Sequence, residues 1–277
     1  MPELPETETI ARDLDRALTG ARIAGVTVVR PDVLRETTAA RLTAKLSGAT
    51  IERCWRRAKM VVIDLSTGDR LVVQPRFTGA LLIDTGADSL SDRERAYSTL
   101  ALRFTDGRAL HYRDIRRLGT VSLMSPVRWQ RQHSALGIEP LDVTFTPAHL
   151  SGALRGSSQA VKKLLMDQRR IAGIGNIYAN EALWRAGIDP SRAGRSVETD
   201  ELERLHGAIT SVLREAIAAR GTSFRDYRDA TGARGTFSAS LDAYGRGGQP
   251  CHRCGGRLVS TDVIDGRATV LCPRCQR

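Results

Sequence analysis

The sequence predicts an α+β chain of three successive parts: an antiparallel β-sandwich or barrel led by a helix, a helical segment, and a metal-clipped β-hairpin. From Arg22 to Leu123 the chain is a series of short runs rich in branched residues. Turn signals such as Ser66-Thr67-Gly68-Asp69 and Asp106-Gly107 separate them. Many short strands joined by hairpin turns make a sandwich or a barrel. From Pro147 to Arg220 the period becomes helical, with Leu202, Leu205, Ile209, Leu213 and Ile217 on one stripe. Four of the five cysteines then fall in the last 27 residues, as Cys251-x-x-Cys254 and Cys272-x-x-Cys275. That is the spacing of two zinc knuckles.

Residues 5–18 read as the leading helix. Pro5 suits a first turn, Glu6 and Glu8 suit the positive end, Ile10, Ala11, Leu14, Ala17 and Leu18 form one face, and Gly20 ends it. Strands are expected at 26–29, 51–55, 60–65, 70–73, 80–83, 100–104, 109–112 and 119–123. Residues 126–146 read as a connection. Helices are expected at 161–167 and 176–186, on either side of Gly173-Ile174-Gly175. Residues 223–240 are polar and contain glycine, and read as a loop. Residues 258–259 and 268–271 pair around Asp265-Gly266.

At 277 residues the chain has room for two domains and a small zinc module. The expected boundaries are 1–128, 129–240 and 241–277. A net charge of +11, with 42 Lys and Arg against 31 acids, points to a polyanion, most simply nucleic acid. Arginine is concentrated at Arg53, Arg56 and Arg57, at Arg113, Arg116 and Arg117, at Arg169 and Arg170, and in the tail. No apolar run is long enough for a bilayer and none resembles a secretory segment. A basic cytosolic chain keeps its thiols reduced, which disfavours disulfides and favours one structural zinc held by four thiolates. Cys54 lies in an apolar run and is expected to be buried.

The chain opens Met1-Pro2-Glu3-Leu4-Pro5-Glu6. Removal of the initiator Met would expose the secondary amine of Pro2. An α-amino group has a pKa of about 7.7–8.0, so a useful fraction is neutral near pH 7. A neutral amine attacks an aldehyde-like carbon. The adduct of a secondary amine is necessarily a cationic iminium, a good electron sink. Glu3 and Glu6 stand beside it to move protons. Proline at position 2 is also common in chains that do no chemistry, and the hexapeptide alone does not separate the two readings. The glycine turn at 173–175, just before a helix, offers backbone N–H groups to a phosphate. It lacks the upstream strand of a dinucleotide motif, and on a basic chain with a zinc hairpin it fits duplex DNA better.

Together Pro2-Glu3-Leu4-Pro5-Glu6, Arg56-Arg57-Ala58-Lys59, the turn from Gly173 to Glu181 and the zinc tail from Tyr244-Gly245-Arg246 resemble the bacterial formamidopyrimidine-DNA glycosylase family. The similarity runs over nearly the whole chain. The related endonuclease VIII shares the architecture but typically has Gly where this chain has Leu4. The resemblance implies an N-terminal sandwich, a helix–two-turn–helix domain and a zinc finger. It implies a base-excision repair enzyme with lyase activity, acting on oxidised purines (8-oxoguanine, formamidopyrimidines) in double-stranded DNA. Pro2 would attack C1′ and form the iminium, Glu3 would transfer protons, and Glu6 would orient the site. Lys59 would donate the proton for β-elimination, and Arg267 would bind the lesion phosphate and assist δ-elimination. Asn176 and Lys162 would hold backbone phosphate. Residues 224–240 would cover an everted base. One structural zinc, no organic cofactor, a monomer, no membrane partner and a bacterial cytoplasmic, nucleoid-associated location complete the expectation.

The chain departs from the family where the duplex is probed. Of the usual Met, Arg and Phe that fill the gap left by an everted base, only Arg116 is retained. Phe77 and Leu118 stand at the other two positions. Gln74-Pro75-Arg76-Phe77 replaces His-Leu-Gly-Met, Tyr97 stands at a phosphate-contacting His, and Ile115 replaces a Pro. Apolar wedges of either kind kink duplexes, so the chemistry is expected to persist with an altered choice of opposite base or lesion. The alternatives are an endonuclease VIII-like glycosylase for oxidised pyrimidines, a non-catalytic zinc-containing DNA binder, and a zinc-ribbon interaction module.

Overall fold

In the computed structural model, residues 2–86 and 89–277 are described. Met1, whose removal the sequence anticipates, lies outside them. Helix α1 (Leu4–Leu18) leads the chain and buries Ile10, Leu14 and Leu18 completely. Then follow β1 (Ile23–Val28), α2 (Ala39–Leu46), β2 (Ile51–Arg57), β3 (Met60–Leu65), β4 (Arg70–Gln74), β5 (Gly79–Asp84), α3 (Asp92–Ala96), β6 (Ser98–Phe104), β7 (Ala109–Asp114), β8 (Thr120–Met124) and α4 (Pro126–Ser134).

The strands form two four-stranded antiparallel sheets, ordered β1-β6-β7-β5 and β2-β3-β4-β8. One core joins them. Ile23, Leu81, Leu100, Leu102 and Leu110 from the first sheet and Ile51, Val61, Ile63, Leu71, Val73, Val121 and Leu123 from the second belong to the same buried cluster. The sandwich is therefore realised and the barrel is not. Several strands run a residue or two past their apolar runs. The ladders continue through polar ends such as Arg56-Arg57, Gln74 and Arg113-Asp114. Helix α4 stands where a plain connection was expected, and α2 and α3 interrupt the strand series. These helices are short, and α3 buries no side chain at all, so their apolar period is too brief to recognise. What starts α3 is a capping box between Ser91 and Glu94.

The chain divides into two compact units, Met1–Ser134 with Ala219–Thr236, and Ala135–Ala218 with Phe237–Arg277. Residues 219–236 thus belong with the sandwich, although their place in the chain put them inside 129–240. The cause is a set of buried polar and apolar anchors. Arg220 pairs with Asp13 and Asp229, at 2.5 and 2.6 Å. Tyr227 and Ala230 enter the sandwich core, and Ile83 donates its N–H to the Ala230 carbonyl at 2.9 Å.

The second unit contains α5 (Pro147–Leu154), α6 (Val161–Met166), α7 (Asn176–Ala186), α8 (Thr199–Ala218) and the hairpin strands β9 (Val259–Thr261) and β10 (Thr269–Leu271). Helix α8 buries Leu202, Leu205, Ile209 and Leu213 as its stripe predicts. Val212 and Ala216 are buried with them. A small core of Trp184, Ala243, Cys251, Leu258, Val270 and Cys272 joins α7 to the hairpin. Among the described residues no helix is long and apolar enough to cross a membrane.

Gly119 shows how tightly the sandwich is closed at its loop end. A Cβ there would run into the Tyr112 hydroxyl and come within 2.8 Å of the Gln74 carbonyl. Gly119→Ala is expected to cost about 1–3 kcal/mol, the usual range for overpacking. Thermal unfolding should show a clear drop in Tm, and an unchanged Tm would contradict this packing.

Candidate active site and nucleic-acid interface

Pro2 is buried at the head of α1, and Glu3 and Glu6 are each only 1% exposed. Glu6 reaches back so that one carboxylate oxygen accepts the Glu3 N–H at 2.8 Å. The other oxygen accepts the Thr222 N–H at 2.7 Å. Gly221 makes that approach possible. Its φ is +87°, and a Cβ would press on Glu6 at 2.9 Å. The Tyr227 hydroxyl donates to the Arg220 carbonyl at 3.1 Å. Burial first, then the charges of Glu6 and Asp229, push this phenol well above its ordinary pKa. It stays neutral beside the carboxylate.

Lys59 is half-buried in the tight turn between β2 and β3, where Ala58 takes a φ of +53°. Arg56 holds this turn to α1. Its Nε donates to Glu8 at 2.8 Å and its Nη1 to the Ala58 carbonyl at 3.1 Å. Burial pushes the Glu8 carboxyl up, but Arg56 and then Arg12 outweigh it and leave the pKa lowered.

The wedge candidates sit on two loops of the same unit. Phe77 and Leu118 are 47% and 39% exposed, and the Arg116 guanidinium lies over the Phe77 ring at 5.1 Å. A buried carboxylate, Asp114, organises both loops. It accepts from the Thr78 hydroxyl at 2.5 Å and from the Gly119 N–H at 2.8 Å. Thr78 in turn accepts the Arg116 N–H at 2.9 Å. Tyr97, 41% exposed, is on a neighbouring segment of the unit. Neither Asp114 nor Thr78 was singled out from the sequence; both look like ordinary turn residues there.

In the second unit, the sulfurs of Cys251, Cys254, Cys272 and Cys275 all lie within 4.8 Å of one another. Zinc–sulfur bonds of about 2.3 Å in a tetrahedron place sulfurs about 3.8 Å apart, so the four thiolates fit one structural zinc. Glu181, fully buried on α7, clips the entry to this module by accepting the N–H groups of Asp242, Ala243 and Tyr244 at 2.8, 2.9 and 2.7 Å. Burial raises the Glu181 pKa, and these three amides oppose it. Asn180 accepts the Val270 N–H at 2.7 Å.

Arg267 is exposed on the loop between β9 and β10. Lys162, expected at a DNA phosphate, is instead fully buried. Its ammonium donates to Thr269 at 2.7 Å, to the Ala268 carbonyl at 3.4 Å and to Asp265 at 3.5 Å, so it braces the loop on both sides of Arg267. Asn176 donates to the same Ala268 carbonyl at 3.0 Å. The glycine turn is also partly committed, because Gln168 accepts the Gly173 N–H at 2.8 Å. A lysine in the first turn of a helix carries no sequence sign of such burial.

A helix-led sandwich, a helical unit and a four-cysteine hairpin follow one another in the order of the domains of a zinc-finger DNA glycosylase. Three family models match in order: the formamidopyrimidine-DNA glycosylase N-terminal domain over residues 1–121, its H2TH domain over 136–228, and the zinc finger found in FPG and IleRS over 248–277. The chain belongs to the formamidopyrimidine-DNA glycosylase family. It is 40% identical to the formamidopyrimidine-DNA glycosylase of Heliobacterium modesticaldum and 41% identical to that of a Roseiflexus species, in each case over the whole of both chains. Its fold is similar to that of a Lactococcus lactis FPG mutant in complex with a Fapy-dG containing DNA, with a TM-score of 0.90 and 32% identity over 100% of both chains. The Thermus thermophilus MutM (FPG) protein is similar at a TM-score of 0.86 and 34% identity, covering 99% of this chain and 98% of that one.

Two outcomes follow from this geometry. The lowered Glu8 pKa contributes stability that is complete above the ordinary carboxylate value of 4.5 and is lost as pH falls through the lowered folded value. Glu8→Gln should therefore be less stable than the parent at pH 6, with the gap closing on acidification. Denaturant titrations that find the gap widening in acid would contradict the assignment. Removing zinc with a chelator should release residues 251–277 to amide exchange near that of an unfolded peptide, while the sandwich strands keep their protection. Unchanged protection in that tail would contradict a structural zinc.

Proposed function

We propose that this protein is a base-excision repair enzyme, a DNA glycosylase with lyase activity that removes oxidised purines from double-stranded DNA. The observation that carries this reading is the buried Glu6 clamp on the Glu3 amide, at the head of a chain that belongs to this family along its length. With Met1 removed, the Pro2 nitrogen attacks C1′ of the lesion nucleotide. The N-glycosidic bond breaks, its electron pair leaves with the base, and the base takes up a proton. The Pro2 N–H proton passes through Glu3 to the ring oxygen O4′, the C1′–O4′ bond breaks as the nitrogen lone pair forms the C=N bond, and the cationic iminium remains. The positive charge acidifies C2′, whose proton is lost as the C3′–O bond breaks, and a second elimination breaks the C5′–O bond.

Glu3 is the proton-transfer group in this scheme and Glu6 its positioning residue. Lys59 supplies the proton for the first elimination. Arg267 holds the lesion phosphate through its planar pair of donors, and zinc acts only by fixing the hairpin that carries it. Lys162 serves by bracing that loop, and Asn176 contributes at its edge. Phe77, Arg116 and Leu118 enter the space left by the everted nucleotide, and Tyr97 touches the backbone nearby. One chain acts on one lesion, in the bacterial cytoplasm where the chromosome lies.

Single-turnover assays on an 8-oxoguanine duplex test this scheme. Glu3→Gln should slow base release by about 10²–10⁴-fold, the usual contribution of a positioned acid or base, while duplex affinity changes little. A non-catalytic binder shows no base release with either protein. Phe77→Ala and Leu118→Ala should change the ranking of opposite bases, and cleavage unchanged in every opposite-base context would remove them from the wedge.

A further inference from the structure

One side of α7 turns to the cysteine module. Asn176, Asn180 and Trp184 follow one another at the helical i, i+4 spacing, with Glu181 beside Asn180. The first two and Glu181 close hydrogen bonds with the module. Asn176 donates to the Ala268 carbonyl, Asn180 accepts the Val270 N–H, and Glu181 accepts the N–H groups of Asp242, Ala243 and Tyr244. Trp184, one turn further on, completes the row. It is only 6% exposed and packs in one buried cluster with Cys251 and Cys272. Its buried Nε1 has no hydrogen-bond partner among the described residues.

Buried polar groups are nearly always satisfied, and a buried indole N–H usually finds a partner. This one bears on the Cys251 sulfur without closing a hydrogen bond to it. The backbone N–H groups of Arg253 and Cys254 turn to the same sulfur. A neutral thiol is a weak acceptor. The thiolate that binds zinc is charged, and hydrogen bonds to charged acceptors are roughly twice as strong. Four thiolates around one zinc also leave a net negative charge, which donors to sulfur stabilise. The ring is already held for this role. The Arg253 guanidinium, from the same knuckle as Cys251, lies over the Trp184 ring at 4.5 Å and donates to the Arg185 carbonyl at 3.1 Å. A cation on the ring face draws on the π-electrons and strengthens the N–H as a donor.

We propose that Trp184 is a positioning residue of the metal site, its indole N–H donating to the zinc-bound thiolate of Cys251. The proposal rests on the four-cysteine zinc site and on nothing in the excision chemistry. The bond stabilises the charged sulfur against protonation, which slows loss of the metal. It also ties the last turn of α7 to the first knuckle, as Glu181 ties the helix to the entry of the module and Asn180 ties it to β10.

The test uses the full-length protein loaded with zinc, or with ¹¹³Cd in its place. In the ¹⁵N-labelled ¹¹³Cd protein the Trp184 indole proton, identified by its contacts with the Ala243, Leu258 and Val270 side chains of its cluster, is expected to couple to the metal through the bond to sulfur. The indoles of Trp55 and Trp129 should show no coupling. Competition with a chelator should find zinc held about tenfold or more weakly by Trp184→Phe, the usual scale for a partner of a metal ligand. No coupling at Trp184 overturns the proposal, even if the variant binds zinc weakly, because lost packing alone would do that. Zinc held equally by both proteins overturns it too. The coupling is read in the parent protein, so a variant that folds poorly does not remove the test. A parent protein that takes up no metal would contradict the four-thiolate site itself, which is a separate failure.

Discussion

The buried carboxylate of Glu6 is the constraint on which the rest of the first unit depends. It is only 1% exposed and accepts hydrogen bonds from backbone amides at two distant points in the chain, Glu3 and Thr222. A hydrogen bond to a charged, buried group contributes about 1.5–3 kcal/mol. Removing the carboxylate would take these bonds from both amides. One bond fixes the start of the chain beside Pro2, the proposed nucleophile. The other draws residues 219–236 out of the helical part of the sequence and onto the sandwich. One side chain therefore links the start of the chain to residues 219–236, which Arg220, Tyr227 and Ala230 also anchor on the sandwich.

The same device recurs at each functional edge. Arg56 ties the Lys59 turn to α1 through Glu8. Asp114 ties the Phe77 loop to the Leu118 loop through Thr78 and Gly119. Glu181 ties the zinc module to α7, and Lys162 braces the loop of Arg267. Asp114, Glu181 and Lys162 are buried charges satisfied by loop backbone or nearby hydroxyls, and Arg56, half-buried, is held by the Glu8 carboxylate and the Ala58 carbonyl. The exposed group proposed to meet DNA is thus carried on a loop whose neighbours are held in place. The zinc does the same work for the tail, where there are too few apolar residues to fold a hairpin unaided.

Much of this was legible in the sequence because it rests on local pattern. Alternating branched runs marked the strands, the leucine stripe marked α8, and the cysteine spacing marked the metal site. The residues proposed as catalytic were named through motifs that occur together. What was hidden is long-range. Nothing near Thr222 announces a bond to Glu6, more than two hundred residues earlier. Lys162 reads as a surface cation because its partners, Ala268 and Thr269, lie about a hundred residues later. The short helices α2, α3 and α4 were missed because two buried residues or fewer make no period. The exposed wedge residues were found only as departures from a family pattern, since an exposed Phe or Leu in a turn has no signature of its own.

The central claim is that the imino nitrogen of Pro2, held in place through Glu6, becomes bonded to the deoxyribose of the lesion. Reduction of the working complex with borohydride, digestion, and peptide mass mapping test it most directly. The account predicts a sugar adduct on the peptide that begins at Pro2, with Met1 gone. An adduct mapped to Lys59 instead, or full activity from protein that retains Met1, would contradict it.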